Sequence, residues 1–144
     1  MKSAGFTLVE VLLSVAIITM LTGLSLPLYE SFVRRNDLDL TTQSIATMIR
    51  RAETYSRGTK SDSTWGVEFQ STNAILFRGS MFASRDTSYD EMVTIPVSIT
   101  PSGLSELTFT KLTGAPNTTG SLTLASTTNT TKTITINAKG TVDY

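Results

Sequence analysis

The sequence predicts an α+β protein in which a long N-terminal helix packs on an antiparallel β-sheet body. Two observations lead to this fold class. Apolar residues recur at helical spacing as far as about residue 57, and short alternating segments separated by turn residues fill the remainder. The chain has 144 residues, of which 40% are hydrophobic, so we expect one compact body and one anchoring segment.

The composition argues against several kinds of active site. There is no cysteine, which excludes disulfides, thiolate metal sites and thiol nucleophiles. There is no histidine, the side chain most used for acid-base catalysis near neutral pH and the commonest zinc ligand. Twelve basic residues balance twelve acidic ones, so no general electrostatic attraction to nucleic acid is expected. The sequence therefore predicts a protein that is not an enzyme and needs no cofactor.

Residues 6–29 are nearly all apolar, and about two dozen residues of α-helix are long enough to cross the hydrocarbon layer of a membrane. We therefore expect a transmembrane segment here. Its polar members are Thr7, Glu10, Ser14, Thr19, Thr22 and Ser25. The hydroxyl groups are expected to bond back to helix carbonyls. The carboxylate of Glu10 needs a partner, because a charge at the centre of a membrane helix costs about 2.5 to 3.5 kcal/mol.

The same helix is predicted to continue through residues 30–57 as an amphipathic segment. Its apolar face carries Leu38, Ile45, Met48, Ile49, Ala52 and Tyr55. Gly58 is a plausible stop signal, and Gly23 and Pro27 are expected to bend or loosen the helix. The amphipathic face should pack on the rest of the chain.

Residues 58–144 are predicted to form the β-rich body. A hairpin is expected from residues 65–69 and 75–77, because Asn73 lies in a short turn between them. Residues 93–99 alternate strictly between apolar and polar and predict one half-buried strand. Because of Pro96, this strand is expected at a sheet edge or with a bulge. Three more strands are expected around Leu107 and Phe109, Leu122 and Leu124, and Ile134 and Ile136.

The first ten residues do not fit an ordinary secretory signal. The apolar run is too long and ends without a small-x-small cleavage site. A short basic leader with Lys2 precedes Gly5 and Phe6, and a single carboxylate, Glu10, follows within the helix. This pattern resembles the type IV prepilin signature. The resemblance implies a leader of residues 1–5, cleavage by prepilin peptidase between Gly5 and Phe6, and methylation of the new N-terminal Phe6.

A physical role for Glu10 follows from that cleavage. The new amine of Phe6 would lie about one helical turn from Glu10, close enough to pair with the carboxylate of a neighbouring subunit. Such a pair sets the axial offset between subunits, and a head-to-tail contact that does not close generates a filament. The resemblance implies the same assembly role for this glutamate, and Pro27 falls where pilins commonly carry a proline.

Features of the later chain resemble the GspH/FimT class of minor pilins and pseudopilins. They are Arg50 to Glu53 at the helix end, the tryptophan strand, and Thr133 to Asn137 with Gly140. The resemblance implies a minor subunit of a type II secretion pseudopilus or a type IV pilus. Its implied partners are prepilin peptidase, other pilins in a filament or tip complex, and the inner-membrane assembly platform.

The implied location is the bacterial cytoplasmic membrane, crossed once with the N-terminus in the cytoplasm and the body outside. The body would later be part of the filament. A major pilin and a permanently anchored extracytoplasmic binding module remain alternatives, as does an anchored enzyme. The sequence leaves open whether the machine serves secretion, motility or DNA uptake.

Two further binding hypotheses are weaker. Some FimT-like proteins bind DNA through an arginine-bearing motif near the C-terminus, but residues 138–144 hold one lysine and no arginine, so nucleic acid is not expected as a partner. Asp86, Asp90 and Glu91 are weak metal candidates in a predicted loop, yet their spacing matches no calcium motif. We expect a solvated loop beside Arg85 and no metal site. Trp65 is expected in the core rather than as a ligand platform.

Overall fold

The structure, a computed structural model, describes residues 5–144, with the side chains of residues 24–28 and 30 outside that description. Most of the expected leader and the side chain of Pro27 therefore lie outside the described residues. One long helix, α1 (Leu8–Arg57), comes first. A short 3-10 helix, Lys60–Asp62, separates it from the strands, and a second, Phe82–Ser84, lies between the second and third strands. The strands are β1 (Trp65–Phe69), β2 (Asn73–Arg78), β3 (Asp86–Thr94), β4 (Ile99–Gly103), β5 (Glu106–Phe109), β6 (Gly120–Ser126), β7 (Thr131–Ile136) and β8 (Val142–Asp143).

The chain divides into two compact units, Met1–Val33 and Arg34–Tyr144. In the first unit the hydroxyl groups of Ser14, Thr19 and Thr22 donate to the carbonyl oxygens of Glu10, Val15 and Ile18, at 2.7, 2.9 and 2.6 Å. The predicted return of these hydroxyls to the helix backbone is confirmed. The helix assignment is continuous through Gly23 and Pro27, and a bend at these residues stays a prediction.

The second unit buries one face of helix α1. Leu38, Ile45, Met48, Ile49 and Ala52 are at most 3% exposed, so the predicted apolar stripe is confirmed. Helix α1 ends at Arg57, next to the predicted stop at Gly58. The backbone N–H of Leu112, in a loop of the body, donates to the carbonyl of Ser56 at 3.0 Å and satisfies one of the last helix carbonyls.

The body of the second unit consists of two four-stranded antiparallel sheets. The strand orders are β3-β2-β1-β5 and β4-β6-β7-β8. The predicted hairpin is confirmed as β1 and β2, with Val67 opposite Leu76, but the turn precedes Asn73, which is the first residue of β2 rather than a turn residue. Gly66 in β1 is required by space, since a Cβ atom there would lie 2.7 Å from side-chain atoms of Phe77 and Thr108. The inward residues of both sheets and the helix stripe share one core.

The prediction of one strand over residues 93–99 is wrong. Strand β3 ends at Thr94, and β4 begins at Ile99 in the other sheet. Between them the N–H of Ile99 donates to the carbonyl of Pro96 at 2.9 Å, which closes a turn. Proline has no N–H to donate to a sheet, so a turn suits this position better than a strand. Ile95 and Ile99 are buried on either side of the turn, whereas Val97 within the turn is 95% exposed, so the apolar residue at position 97 does not mark an inward strand face.

The prediction of a loop at Asp86, Asp90 and Glu91 is also wrong, because these residues lie on β3. Strand β3 is at the edge of its sheet and pairs only with β2. Most of its side chains are exposed or half-buried, so it lacks the buried apolar alternation by which a strand is recognised. Charged residues are common on edge strands because they discourage pairing with other chains.

Candidate assembly site

The start of helix α1 is capped by Thr7. The backbone N–H of Glu10 lies 3.3 Å from the Thr7 hydroxyl and 3.1 Å from its carbonyl oxygen. The N–H of Val11 donates to the same carbonyl at 3.2 Å. A threonine three residues before a glutamate is the spacing of a capping box, so this cap could have been recognised from the sequence and was missed. Thr7 fixes where the helix begins and places Glu10 in its first turn.

The carboxylate of Glu10 is exposed in that first turn. The free N–H groups of a helix N-terminus favour negative charge nearby, which supplies part of the stabilisation that this carboxylate needs. Among the residues that the structure describes, Glu10 forms no ion pair. The carboxylate is therefore accessible to a cation from another molecule.

Gly5 and Phe6 precede the helix and have no regular secondary structure. The side chain of Phe6 is 83% exposed, and no atom outside its chain neighbours lies within 4 Å of a Cβ built on Gly5. The peptide bond between them is thus accessible to a protease. Gly5, Phe6 and Glu10, the predicted cleavage, methylation and assembly residues, lie together in one exposed segment, and these three roles stay predictions.

The first unit exposes apolar side chains on every side of its helix. More than half of the surface is exposed at Phe6, Leu8, Val9, Val11, Leu12, Leu13, Val15, Ile17, Ile18, Met20 and Leu21. No helix is long and apolar enough to cross a membrane within the described part of the chain. An apolar surface of this extent is typical of a segment that is covered by other molecules.

The three carboxylates of the weak metal hypothesis each face a different arginine. The pairs are Arg78 with Asp86 at 3.5 Å, Arg85 with Asp90 at 2.8 Å and Arg51 with Glu91 at 2.6 Å. Between residues 5 and 144, leaving aside the undescribed side chains, no three acidic, histidine or cysteine side chains are grouped closely enough to hold a metal ion. Ion pairing accounts for the positions of these carboxylates.

Trp65 lies in the core, as predicted, and is 1% exposed. Its indole N–H donates to the carbonyl of Lys60 at 3.0 Å, and its ring meets that of Tyr55 edge to face at 5.0 Å between centroids. The side-chain hydroxyl of Ser56 accepts a bond from the Trp65 backbone at 2.9 Å. These contacts tie the end of helix α1 to strand β1, so Trp65 has a structural role.

Comparison with known proteins gives one finding for the N-terminal segment and one for the fold. Residues 1–26 match the family model of the prokaryotic N-terminal methylation motif. A solved structure with a similar fold is the minor pseudopilin EpsH from the Type 2 Secretion System of Vibrio cholerae, with a TM-score of 0.57 and 12% sequence identity. The chain shares the fold of EpsH. The similarity covers 74% of this chain and 94% of EpsH, and no curated protein matches by sequence.

The fold and the N-terminal motif are supported independently. The motif match rests on the first 26 residues, whereas the likeness to EpsH covers most of the chain and concerns its fold. The predicted α+β architecture, a long N-terminal helix packed on antiparallel sheets, is confirmed. Both findings support the resemblance to pilins and pseudopilins that the residues around Gly5 and Glu10 indicated.

Proposed function

We propose that this protein is a structural minor pilin or pseudopilin that assembles into a type II secretion pseudopilus or a type IV pilus. Prepilin peptidase cuts between Gly5 and Phe6, and Phe6 becomes the methylated N-terminus. The observation that carries the proposal is the N-terminal methylation motif at residues 1–26 in front of a pseudopilin fold. A subunit of this kind needs no catalytic residues, and the sequence has no histidine or cysteine.

Assembly depends on two features of the first unit. The exposed apolar side chains from Phe6 to Leu21 require covering by lipid before assembly and by neighbouring helices afterwards. The carboxylate of Glu10 pairs with the amine of Phe6 on an adjacent subunit, which offsets the cost of placing either charge in an apolar environment. The helix thus provides both the apolar contacts that attract subunits and the charge pair that sets their axial offset.

A prepilin-type motif implies anchoring in the inner membrane. We place the N-terminus in the cytoplasm and the body outside, because Lys2 carries a positive charge just before the apolar segment and positive charge favours the cytoplasmic side. The partners in this proposal are prepilin peptidase, the inner-membrane assembly platform, and other pilins of the same filament. EpsH is described as a minor pseudopilin of a type 2 secretion system, which supports a minor position for this chain also.

The proposal is tested by the intact mass of the protein from its native membrane, with and without active prepilin peptidase. We expect loss of Met1 to Gly5 and one added methyl group on Phe6, both dependent on the peptidase. The matched control is Gly5→Val, which blocks a peptidase that requires a small residue before the cut and leaves the helix unchanged.

A full-length chain in both membranes would contradict the proposal. The alternative would then be a permanently anchored external binding module, which needs no cleavage. A processed chain that dominates sheared filament preparations would instead indicate a major pilin, because a minor subunit should be scarce there.

A further inference from the structure

A cleft of about 540 Å³ lies in the second unit between the C-terminal part of helix α1 and the turn before β8. Its lining consists of Arg50, Glu53, Thr54, Arg57, Lys139, Gly140, Thr141 and Val142. Three of these side chains are cationic and one is anionic, so the lining has a net charge of about +2 at neutral pH. This local excess of positive charge contrasts with the formal net charge of zero for the whole chain.

The cations of this cleft are held in different ways. Arg57 pairs with Glu53 at 2.6 Å, yet its side chain remains 57% exposed. Arg50 donates to the carbonyl of Val142 at 3.0 Å and lies over the ring of Tyr144. Neither contact of Arg50 neutralises its charge. Lys139 is exposed and forms no ion pair among the residues that the structure describes.

The turn that carries Lys139 is fixed before any partner binds. The side-chain oxygen of Asn137 accepts bonds from the backbone N–H groups of Lys139 and Thr141, at 2.9 and 3.0 Å. Gly140 has a φ of +82°, and a Cβ there would lie 3.3 Å from the Glu53 side chain. Only glycine takes this conformation readily, so the turn can lie directly against the helix. A rigid turn loses little conformational entropy on binding.

We propose that this cationic cleft, defined by Arg50, Arg57 and Lys139, binds an acidic segment of a neighbouring protein subunit. The guanidinium of Arg57 and the ammonium of Lys139 donate to carboxylates of that segment, and the hydroxyls of Thr54 and Thr141 are additional polar groups of the lining. The identity of the neighbour as another pilin rests on the proposed function. The binding of an acidic segment rests on the cleft alone.

The geometry favours a protein over a nucleic acid. Nucleic-acid affinity comes largely from neutralising backbone phosphates with lysine and arginine, and this cleft offers three cations with the carboxylate of Glu53 among them. Next to it, the loop residue Leu112 is 68% exposed and has a φ of +73°. Gly114 of the same loop approaches Arg57, because a Cβ there would lie 2.9 Å from the Arg57 Nε atom. An exposed leucine beside a charged cleft suits the mixed chemistry of a protein interface.

The test is a fluorescence anisotropy titration of the full chain in detergent with a fluorescein-labelled hexaglutamate peptide. We compare two double variants. The cleft variant combines Arg57→Gln and Lys139→Gln, and the matched control variant combines Arg35→Gln and Lys132→Gln. Both pairs remove two positive charges. Arg35 lies roughly 20 Å along the helix from Arg50, and Lys132 pairs with Asp39, at the same distant part of the helix. Hexaglutamine and a single-stranded oligothymidylate are the comparison ligands.

We expect the cleft variant to bind hexaglutamate at least about tenfold more weakly than the control variant, which should bind like the unaltered protein. Hexaglutamine should not bind. Equal binding by both variants would overturn the proposal, as would no binding of hexaglutamate by the unaltered protein. Oligothymidylate binding as tight as that of hexaglutamate, with the same loss in the cleft variant, would also overturn it in favour of a nucleic-acid site.

The outcome is separable from that of the proposed function. A chain that is processed at Gly5 and joins filaments but does not bind hexaglutamate would refute the cleft and leave the assembly proposal standing. A chain that is never processed but binds hexaglutamate through Arg57 and Lys139 would support the proposed binding at the cleft and refute the proposed assembly into a filament.

Discussion

The two parts of helix α1 use apolar residues for different purposes. In the first unit Leu12 is 61% exposed, whereas Leu38 in the second unit is 1% exposed, although both belong to the same helix. The first part is apolar on all sides, and the second is amphipathic and covered by the two sheets on one face. Free energy of folding therefore resides in the second unit, and the apolar residues of the first remain available for contacts with other molecules.

This difference also separates the consequences of mutation. A change in the second unit alters packing that the chain makes with itself, so it should appear in unfolding experiments on one molecule. A change at an exposed apolar residue of the first unit, such as Leu12, removes no buried side chain, so it should appear only when lipid or other subunits are present. In the proposed function, stability and assembly depend on successive lengths of one helix, and matched substitutions can measure each separately.

The largest expected effect is that of Leu38→Ala compared with Leu12→Ala. Leu38→Ala leaves a cavity in the core and should lower the free energy of unfolding by about 2 to 5 kcal/mol. Leu12→Ala removes an exposed side chain and should change it by no more than about 0.5 kcal/mol. Urea denaturation in detergent, followed by the fluorescence of Trp65, the sole tryptophan, measures both. Equal losses for the two variants would show that the first unit contributes to the folded core.

The core that this experiment probes was largely predictable from the sequence. Helical spacing identified Leu38, Ile45 and Ile49, and turn residues located the β1 and β2 hairpin. Each of these signals is local, because burial of one helix or strand face imposes a period of 3.6 or 2 on the sequence. The Gly5 to Glu10 motif is likewise a local pattern, and the match of residues 1–26 to the N-terminal methylation motif agrees with it, while the assembly role of these residues stays a prediction.

What could not be predicted depends on contacts between distant residues. Strand β3 has little buried apolar surface and is a strand because it pairs with β2, with Ala74 opposite Val93. The exchange of sheets at Pro96 leaves the local alternation intact, so the sequence alone does not reveal it. The cationic cleft is lined by both Arg57 and Lys139 because the turn that carries Lys139 packs against the helix. Such pairings have no periodic signal along the chain.

An effect of intermediate size is expected for Glu10→Ala. Its incorporation into filaments should fall by about tenfold or more, equivalent to at least about 1.4 kcal/mol, because the amine of Phe6 on the adjacent subunit loses its partner. The free energy of unfolding of the second unit should not change. Quantitative blots of sheared filaments and membranes, from cells expressing each variant, measure incorporation. Ser14→Ala is the control, since the Ser14 hydroxyl donates to the helix backbone at Glu10.

Glu10→Gln distinguishes pairing from helix capping. Glutamine retains the shape of the side chain and is accepted at this position of a capping box, but it has no charge. If the charge pair governs assembly, Glu10→Gln should fail to assemble as Glu10→Ala does. Recovery of incorporation by Glu10→Gln would show that Glu10 acts by stabilising the start of the helix, and normal incorporation of Glu10→Ala would refute any role in assembly.

The smallest effect is expected at Glu68, a half-buried carboxyl in β1. Burial raises the pKa of Glu68 above its ordinary value of 4.5, and the charge of Glu106, its partner across the β1 and β5 pair, raises it further, while Arg85 lowers it. An ionised Glu68 therefore destabilises the folded state. Glu68→Gln should increase the free energy of unfolding at pH 7 by about 0.2 to 1 kcal/mol, the usual size of a like-charge contact between strands.

The pH dependence of the free energy of unfolding tests the sign of this effect a second time. Because the folded state binds the Glu68 proton more tightly than the unfolded state, the penalty is complete above the raised pKa and is relieved as the pH falls toward and below 4.5. The advantage of Glu68→Gln should therefore shrink over that range in urea titrations at successive pH values. An advantage for Glu68→Gln that grows on acidification would mean that the folded state favours the charged form of Glu68.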